Sequence, residues 1–401
     1  MLLASGQTVS LLGNGVYQVT LALTVYKITN SARDMGVVLA ANMITRLAFL
    51  LLGGALADRL SRRLVVLSSD LMSGLIMLGL ALVERTSGLS IGEIIAASAV
   101  LGVCSAMYGP AYNAVVPDIV EEDQYNAANS VMRFGSNAGR LVGPLLGGFL
   151  YAAGGTALSF AFDGSTFIVA VVAMVFTPFP PRKVAYKGPL FSDVIGGVRF
   201  CLATQWLRTV TVLSLAVNLL CIAPYLVLIP AVVKHAGGSP AVLGEISALQ
   251  VGAAAAVSLF LAKKTVRNPI VTLLVLAGFF AVGTLVVGST GSLVVIGFGA
   301  MLVGTGFGLD VVESTLMQSR IPRNVLSRAF SFSLLVSFAA TPIGYVVAGE
   351  LQESLGTSAV FMLGGVSCLV VILCAALAFA RGEGRLLRMA SVEEDEEGII
   401  R

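Results

Sequence analysis

The chain has 401 residues, 57% of them hydrophobic and only 12% charged, with a mean hydropathy of +0.92. A water-soluble domain carries about a quarter charged residues, so the composition excludes one, and the apolar excess is too evenly spread for a soluble domain on one anchor. A formal charge of +3 is too small to point to nucleic acid, a single histidine excludes a multi-histidine metal site, and five cysteines without ligand spacing support neither a disulfide framework nor a metal or cofactor centre.

A spanning helix needs about 20 apolar residues. Twelve such segments are predicted, near 5–27, 37–57, 64–83, 91–114, 130–152, 158–178, 207–233, 241–262, 270–288, 292–315, 328–350 and 357–380. The first is of full spanning length, so a cleavable signal is not expected. The predicted fold is an all-α polytopic membrane protein with two six-helix halves, 1–178 and 207–380. Between them, 179–206 opens with Pro180, Pro181, Arg182 and Lys183. Phe191, Val194, Ile195, Val198 and Leu202 then recur at helical spacing, which predicts an amphipathic helix on the cytoplasmic membrane surface. Residues 381–401, with acidic residues from Glu393 to Glu397, read as a disordered, solvated tail. Most of the 25 Lys and Arg lie on the side of the termini, against Lys27, Arg33, Arg85 and Lys234 on the other. Basic loops stay in the cytoplasm, so both termini are predicted there.

Three patterns stand out along the chain. Gly54-Ala-Leu-Ala-Asp58-Arg59-Leu-Ser-Arg62-Arg63, after the second segment, sets a carboxylate beside three arginines at a helix end. Such a cluster can latch two helices in one arrangement. In the fifth segment, Gly139, Gly143, Pro144, Gly147 and Gly148 form G-x-x-x-G-P-x-x-G-G. The glycines leave one face without side chains for close helix approach, and the proline predicts a bend. Shifting the chain by 201 places Gly143 on Gly344 and Gly148 on Gly349, with Pro342 nearby, so the eleventh segment is also expected to bend. Parallel six-helix repeats of this kind belong to transporters whose site lies between the halves.

Charges inside the membrane are expensive and therefore face a cavity or a partner. Arg46, with Asn42 one turn away, and Arg140, inside the glycine stretch, are deep in their segments. Asp310 and Glu313 share a face of the tenth segment, where mutual repulsion and desolvation favour a bound proton. These four are the proton-coupling candidates. Asp163 and Glu245 lie near segment ends and read as interfacial.

The 54–63 stretch resembles the loop 2–3 signature of the major facilitator superfamily, with Ser61 where that family usually has glycine. The 139–148 stretch resembles the antiporter signature of its drug exporters. Leu12-Gly13-Asn14, Val116-Pro117, Asn126 to Ser130 and Phe191 to Phe200 narrow the resemblance to the branch of macrolide-efflux and enterobactin-exporter proteins. The resemblance implies a bacterial-type inner-membrane exporter, monomeric, embedded in lipid, exchanging small amphipathic drugs, natural products or siderophores for protons. It further implies that segments 1, 4, 7 and 10 line the cavity. That makes Asn14, Tyr17 and Gln18, then Tyr108, Tyr112 and Asn113, then Asn218 and Tyr225 substrate contacts, with Asn42 beside them. The two deep arginines suggest an anionic or carbonyl-rich ligand. An importer or uniporter of the same fold, for a nutrient or lipid, is the alternative. A membrane receptor or enzyme is the other, and no nucleophile–base pair or P-loop supports it.

Overall fold

The computed structural model describes residues 2–59, 62–119, 125–177, 204–263, 266, 268–321, 333 and 335–399, and all of its elements among these are helical. The first half contains α1 (Leu2–Thr29), α2 (Ala32–Arg59), α3 (Arg62–Thr86), α4 (Ile91–Ile119) and α5 (Tyr125–Val175). The second contains α6 (Gln205–Val217), α7 (Ala223–His235), α8 (Pro240–Lys263), α9 (Pro269–Gly288), α10 (Leu293–Gly306), α11 (Gly308–Arg320), α12 (Thr341–Leu355) and α13 (Thr357–Ile399).

Nine stretches among the described residues are long and apolar enough to cross a membrane. One of them, Leu141–Val175, runs two predicted segments together. Predicted segments 37–57 and 328–350 extend beyond the residues whose side chains are described. The linker 179–206 likewise lies almost wholly outside them. α13 continues to Ile399, through residues expected to be a disordered tail. That stretch, rich in Arg, Leu, Met, Ala and Glu, consists largely of strong helix formers.

The distribution of side chains is that of a protein in lipid. On α3, Leu64, Leu71, Leu75, Leu78 and Leu82 point outward, two of them more than 60% exposed, while Ser69, Asp70 and Ser73 are buried. In water that helix would be inside out. α9 and α13 carry similar outward stripes, Val271, Val275 and Val282 on one, Val366, Val370 and Leu373 on the other.

Glycine and proline set the breaks. α5 stays helical through Pro144, and its interruption is Gly155 (φ 67°, ψ −159°). Gly155 is where two helices meet, predicted segments 130–152 and 158–178, and as glycine it reaches positive φ without a Cβ clash. Pro224 cannot donate to the preceding turn, and the chain widens into a π turn at Asn218–Ile222 just before it. Pro342 opens α12 after a turn at Ala340, so the eleventh segment does break there. Phe307, between Gly306 and Gly308, separates α10 from α11.

The halves are clasped at one end. Asn30 (φ 52°) ends α1, and its side chain accepts from Lys234 Nζ at 2.8 Å. Ser31 caps α2, accepting from the Asp34 N–H at 3.2 Å, and donates to Glu353. Arg33 meets Glu350 at 2.7 Å. Beneath these exposed contacts the Tyr26 hydroxyl donates to the Val227 carbonyl at 2.9 Å.

Candidate functional site

Between the halves lies a cavity of about 580 Å³, within the size range of drug-sized ligand sites. Its first wall is one face of α1. Gln7, Ser10, Asn14, Tyr17 and Gln18 fall at helical spacing and turn inward together. α2 adds Asn42 and Arg46, α3 adds Asp70 and Ser73, α4 adds Tyr108, and α5 adds Pro144, Asp163 and Phe167. From the second half come Tyr225 and Pro230 of α7, Ser247 and Gln250 of α8, and Tyr345 of α12. The polar groups are therefore concentrated on the first half.

Several of these side chains are held by their neighbours. Gln7 Nε2 donates to Asp70 Oδ2 at 3.1 Å, and the Tyr108 hydroxyl donates to Gln7 Oε1, joining α1, α3 and α4. Tyr112 lies behind Tyr108, with stacked rings 5.1 Å apart. Asn42 Nδ2 donates to the Ser98 carbonyl at 2.9 Å, which ties α2 to α4. Asn14 donates to Ser10 O of its own helix at 3.1 Å. The Tyr17 hydroxyl lies 3.4 Å from Ser98 Oγ.

Among the residues singled out from the sequence, Asn14, Tyr17, Gln18, Asn42, Arg46, Tyr108 and Tyr225 line this cavity. Asn218 does not: its amide donates back to Ser214 O at 2.9 Å, within the π turn. Asn113 and Arg140 have side chains outside the described residues, as do Gly54, Asp58, Arg59 and Arg62. Arg63 is described, and its guanidinium donates to Val175 O at 2.6 Å, at the last carbonyls of α5. A cation there also meets the negative end of the helix dipole.

Asp310 and Glu313 stand apart from the cavity wall. Glu313 accepts from Ser214 Oγ at 2.6 Å and from Ser333 Oγ at 3.2 Å, while Asp310 is exposed. Asp163 corrects the interfacial reading, because it is 1% exposed and faces the cavity. Gly13 of α1 abuts its carboxylate, and a Cβ on that glycine would collide with it. Asp70 was not singled out, although an aspartate inside an apolar segment is itself a signal.

The glycine–proline stretch has two faces. Cβ atoms on Gly139, Gly143 and Gly147 would meet the α1 backbone at Leu11, Gly15 and Val16, within 2.9 Å in each case. Gly148 instead faces α8, where a Cβ would lie 2.8 Å from Pro240 O. The repeat-related glycines behave alike. Gly344 abuts Ala223 on α7, and Gly349 abuts Arg33 on α2 across the halves.

A family profile described as Major Facilitator Superfamily matches residues 3–325. The chain belongs to that superfamily. Among curated relatives it is 27% identical over 370 residues to the multidrug efflux pump Tap of Mycolicibacterium fortuitum, covering 87% of this chain and 88% of the relative. It is 24% identical over 371 residues to the enterobactin exporter EntS of Escherichia coli, covering 90% and 87%. Among solved structures, the nucleoside transporter NupG superposes with a TM-score of 0.75 at 11% identity, covering 94% of this chain and 98% of that one. A bacterial homologue of the iron transporter ferroportin, in an inward-facing state, superposes with a TM-score of 0.71 at 17% identity, covering 93% and 97%. This major facilitator protein is thus a multi-pass membrane transporter and not an enzyme, with efflux proteins among its relatives.

Proposed function

We infer that this superfamily member is a secondary exporter of small amphipathic compounds, driven by proton antiport through alternating access. The observation that carries the reading is the drug-sized cavity between the halves, walled by both of them and clasped at one end. Relatives named as efflux pump and exporter support the outward direction. By the distribution of Lys and Arg, the clasped end is extracellular and both termini are cytoplasmic, in a bacterial-type inner membrane. The twelve-segment organisation, with halves 1–178 and 207–380, belongs to the same reading.

Proton exchange requires a buried carboxyl that gains and loses a proton as the halves rock. Glu313 is held by two serine hydroxyls on the second half, and Arg46 stands on the cavity wall in the first half. We assign Glu313 to the proton, with the exposed Asp310 one turn away passing it to and from water, and Arg46 and Arg140 to reading its departure.

Cells expressing the chain are loaded with a neutral dye, Nile red, or a cationic one, ethidium, while de-energised. On re-energisation, at least one dye leaves faster than from cells without the chain, and a protonophore abolishes the difference. Dye uptake in place of loss reveals an importer. No difference for either dye refutes the export reading.

A further inference from the structure

Among the described residues, two buried polar atoms on the cavity wall lack a hydrogen-bond partner, Asp163 Oδ1 and the Tyr225 hydroxyl. One belongs to each half, and the residues are 1% and 2% exposed. A carboxylate oxygen or a phenol hydroxyl in such a place is stable only when something brings a complementary group to it. Nothing nearby on its own helix does so for Asp163, since the Thr166 hydroxyl is spent on the Asp163 backbone carbonyl at 2.7 Å. No ion pair joins Asp163 to Arg46 among the described residues.

We propose that Asp163 is a subsite for the protonated amine of an organic substrate, and that Tyr225, on the wall supplied by the other half, takes a second polar group of the same molecule. The charge favours a cation, because among the described residues the charged ones on the wall are Asp70, Asp163 and Arg46, and Asp70 already accepts from Gln7. The surroundings favour an amine carried on an apolar body. Phe167 lies one turn after Asp163 on the same face of α5, and Tyr17 lies one turn after Gly13 on α1, so aromatic rings flank the carboxylate. A cation gains from aromatic faces as well as from a carboxylate. The missing Cβ of Gly13 leaves room for the carboxylate beside the α1 backbone. Tyr225, across the cavity, supplies a hydroxyl from the other half, so an amine-bearing ligand can bridge the two. This replaces the anionic ligand that the arginines alone suggested, and it rests on the transport reading above.

Purified full-length protein in detergent micelles is titrated at pH 7.5 with dansylcadaverine, a fluorescent primary amine, and with its neutral N-acetyl derivative. The amine binds about tenfold tighter, as expected for one charge-assisted contact in a desolvated site. Asp163→Asn removes that preference while binding of the acetylated probe stays within about twofold. Tyr225→Phe weakens the amine several-fold. Equal binding of the two probes by the wild type, or no binding of either, overturns the proposal, as does a preference that survives Asp163→Asn. Should that variant not fold, Asp70→Asn decides: a retained preference supports Asp163, and a lost one overturns it. Binding selectivity without dye export would sink the export reading alone, whereas export without amine preference would sink the subsite alone.

Discussion

Tyr26 and Val227, joined by the hydroxyl-to-carbonyl bond of 2.9 Å, are 201 residues apart. That separation is the shift that superimposes Gly143 on Gly344 and Gly148 on Gly349. The bond therefore links a position to its own counterpart in the other half, as residues beside a pseudo-twofold axis can do. It is buried, with Tyr26 6% and Val227 0% exposed, unlike the exposed Arg33–Glu350 pair, which contributes little on its own.

Removing this hydroxyl should loosen the clasp without disturbing either half. A net hydrogen bond of this kind is worth about 0.5–1.5 kcal/mol, so Tyr26→Phe shifts the clasped–open equilibrium several-fold. In intact cells, a cysteine at Met35, buried beneath the clasp, reacts several-fold faster with an impermeant thiol reagent in the Tyr26→Phe background. An unchanged labelling rate would remove Tyr26 from the gate.

The two faces of the glycine–proline stretch predict two different failures. A Cβ on Gly143 would lie 2.7 Å from Gly15 Cα and 2.7 Å from Leu12 O, inside the first half. Gly143→Ala therefore lowers the melting temperature of the purified protein. A Cβ on Gly244 would lie 2.6 Å from Pro144 O, across the halves. Gly244→Ala leaves each half intact but pries them apart, so transport falls tenfold or more while melting changes little. At Gly252 a Cβ would meet only Leu141 Cδ1, at 3.4 Å, and Gly252→Ala should behave as wild type. Equal melting losses for the 143 and 244 variants would contradict this division.

How much of this was legible beforehand depends on where the information resides. Composition and the spacing of glycine, proline and charge gave the helices, the repeat and the membrane setting, because these are properties of single segments. The inward face of α1 was legible for the same reason, since Asn14, Tyr17 and Gln18 share one helical face. Asp163 was misread because its burial is decided by Gly13 on another helix, and no local pattern shows that a Cβ is missing opposite it. The serine partners of Glu313 come from distant positions, Ser214 and Ser333, and are invisible in the same way. Asp70 was legible and passed over.

Asp70 supports a chain of contacts rather than a single pair. Asp70→Ala leaves the Gln7 amide without its acceptor in a buried place, at a cost of about 1–3 kcal/mol, and loosens Tyr108 with it. Asp70→Asn keeps the shape and lets Gln7 rotate, so it should melt close to wild type. Thermal unfolding of the two variants in micelles checks the order. Equal losses would mean that the charge, not the hydrogen-bond chain, holds α1, α3 and α4 together.

Glu313 is where proton coupling can be separated from substrate movement. Its carboxylate takes two serine hydroxyls, and Gln in its place keeps an acceptor oxygen for one of them but carries no exchangeable acid. If Glu313 carries the coupled proton, Glu313→Gln abolishes uphill dye export driven by an imposed pH gradient in proteoliposomes. It should leave substrate–substrate counterflow, which needs no net proton movement, within about twofold of wild type. Loss of both activities would mark a structural role for the Ser214–Glu313–Ser333 cluster, and retention of both would move the proton to another carboxyl, with Asp163 and Asp70 next in line. The counterflow arm makes the result interpretable, because it reports a folded, rocking transporter independently of its driving force.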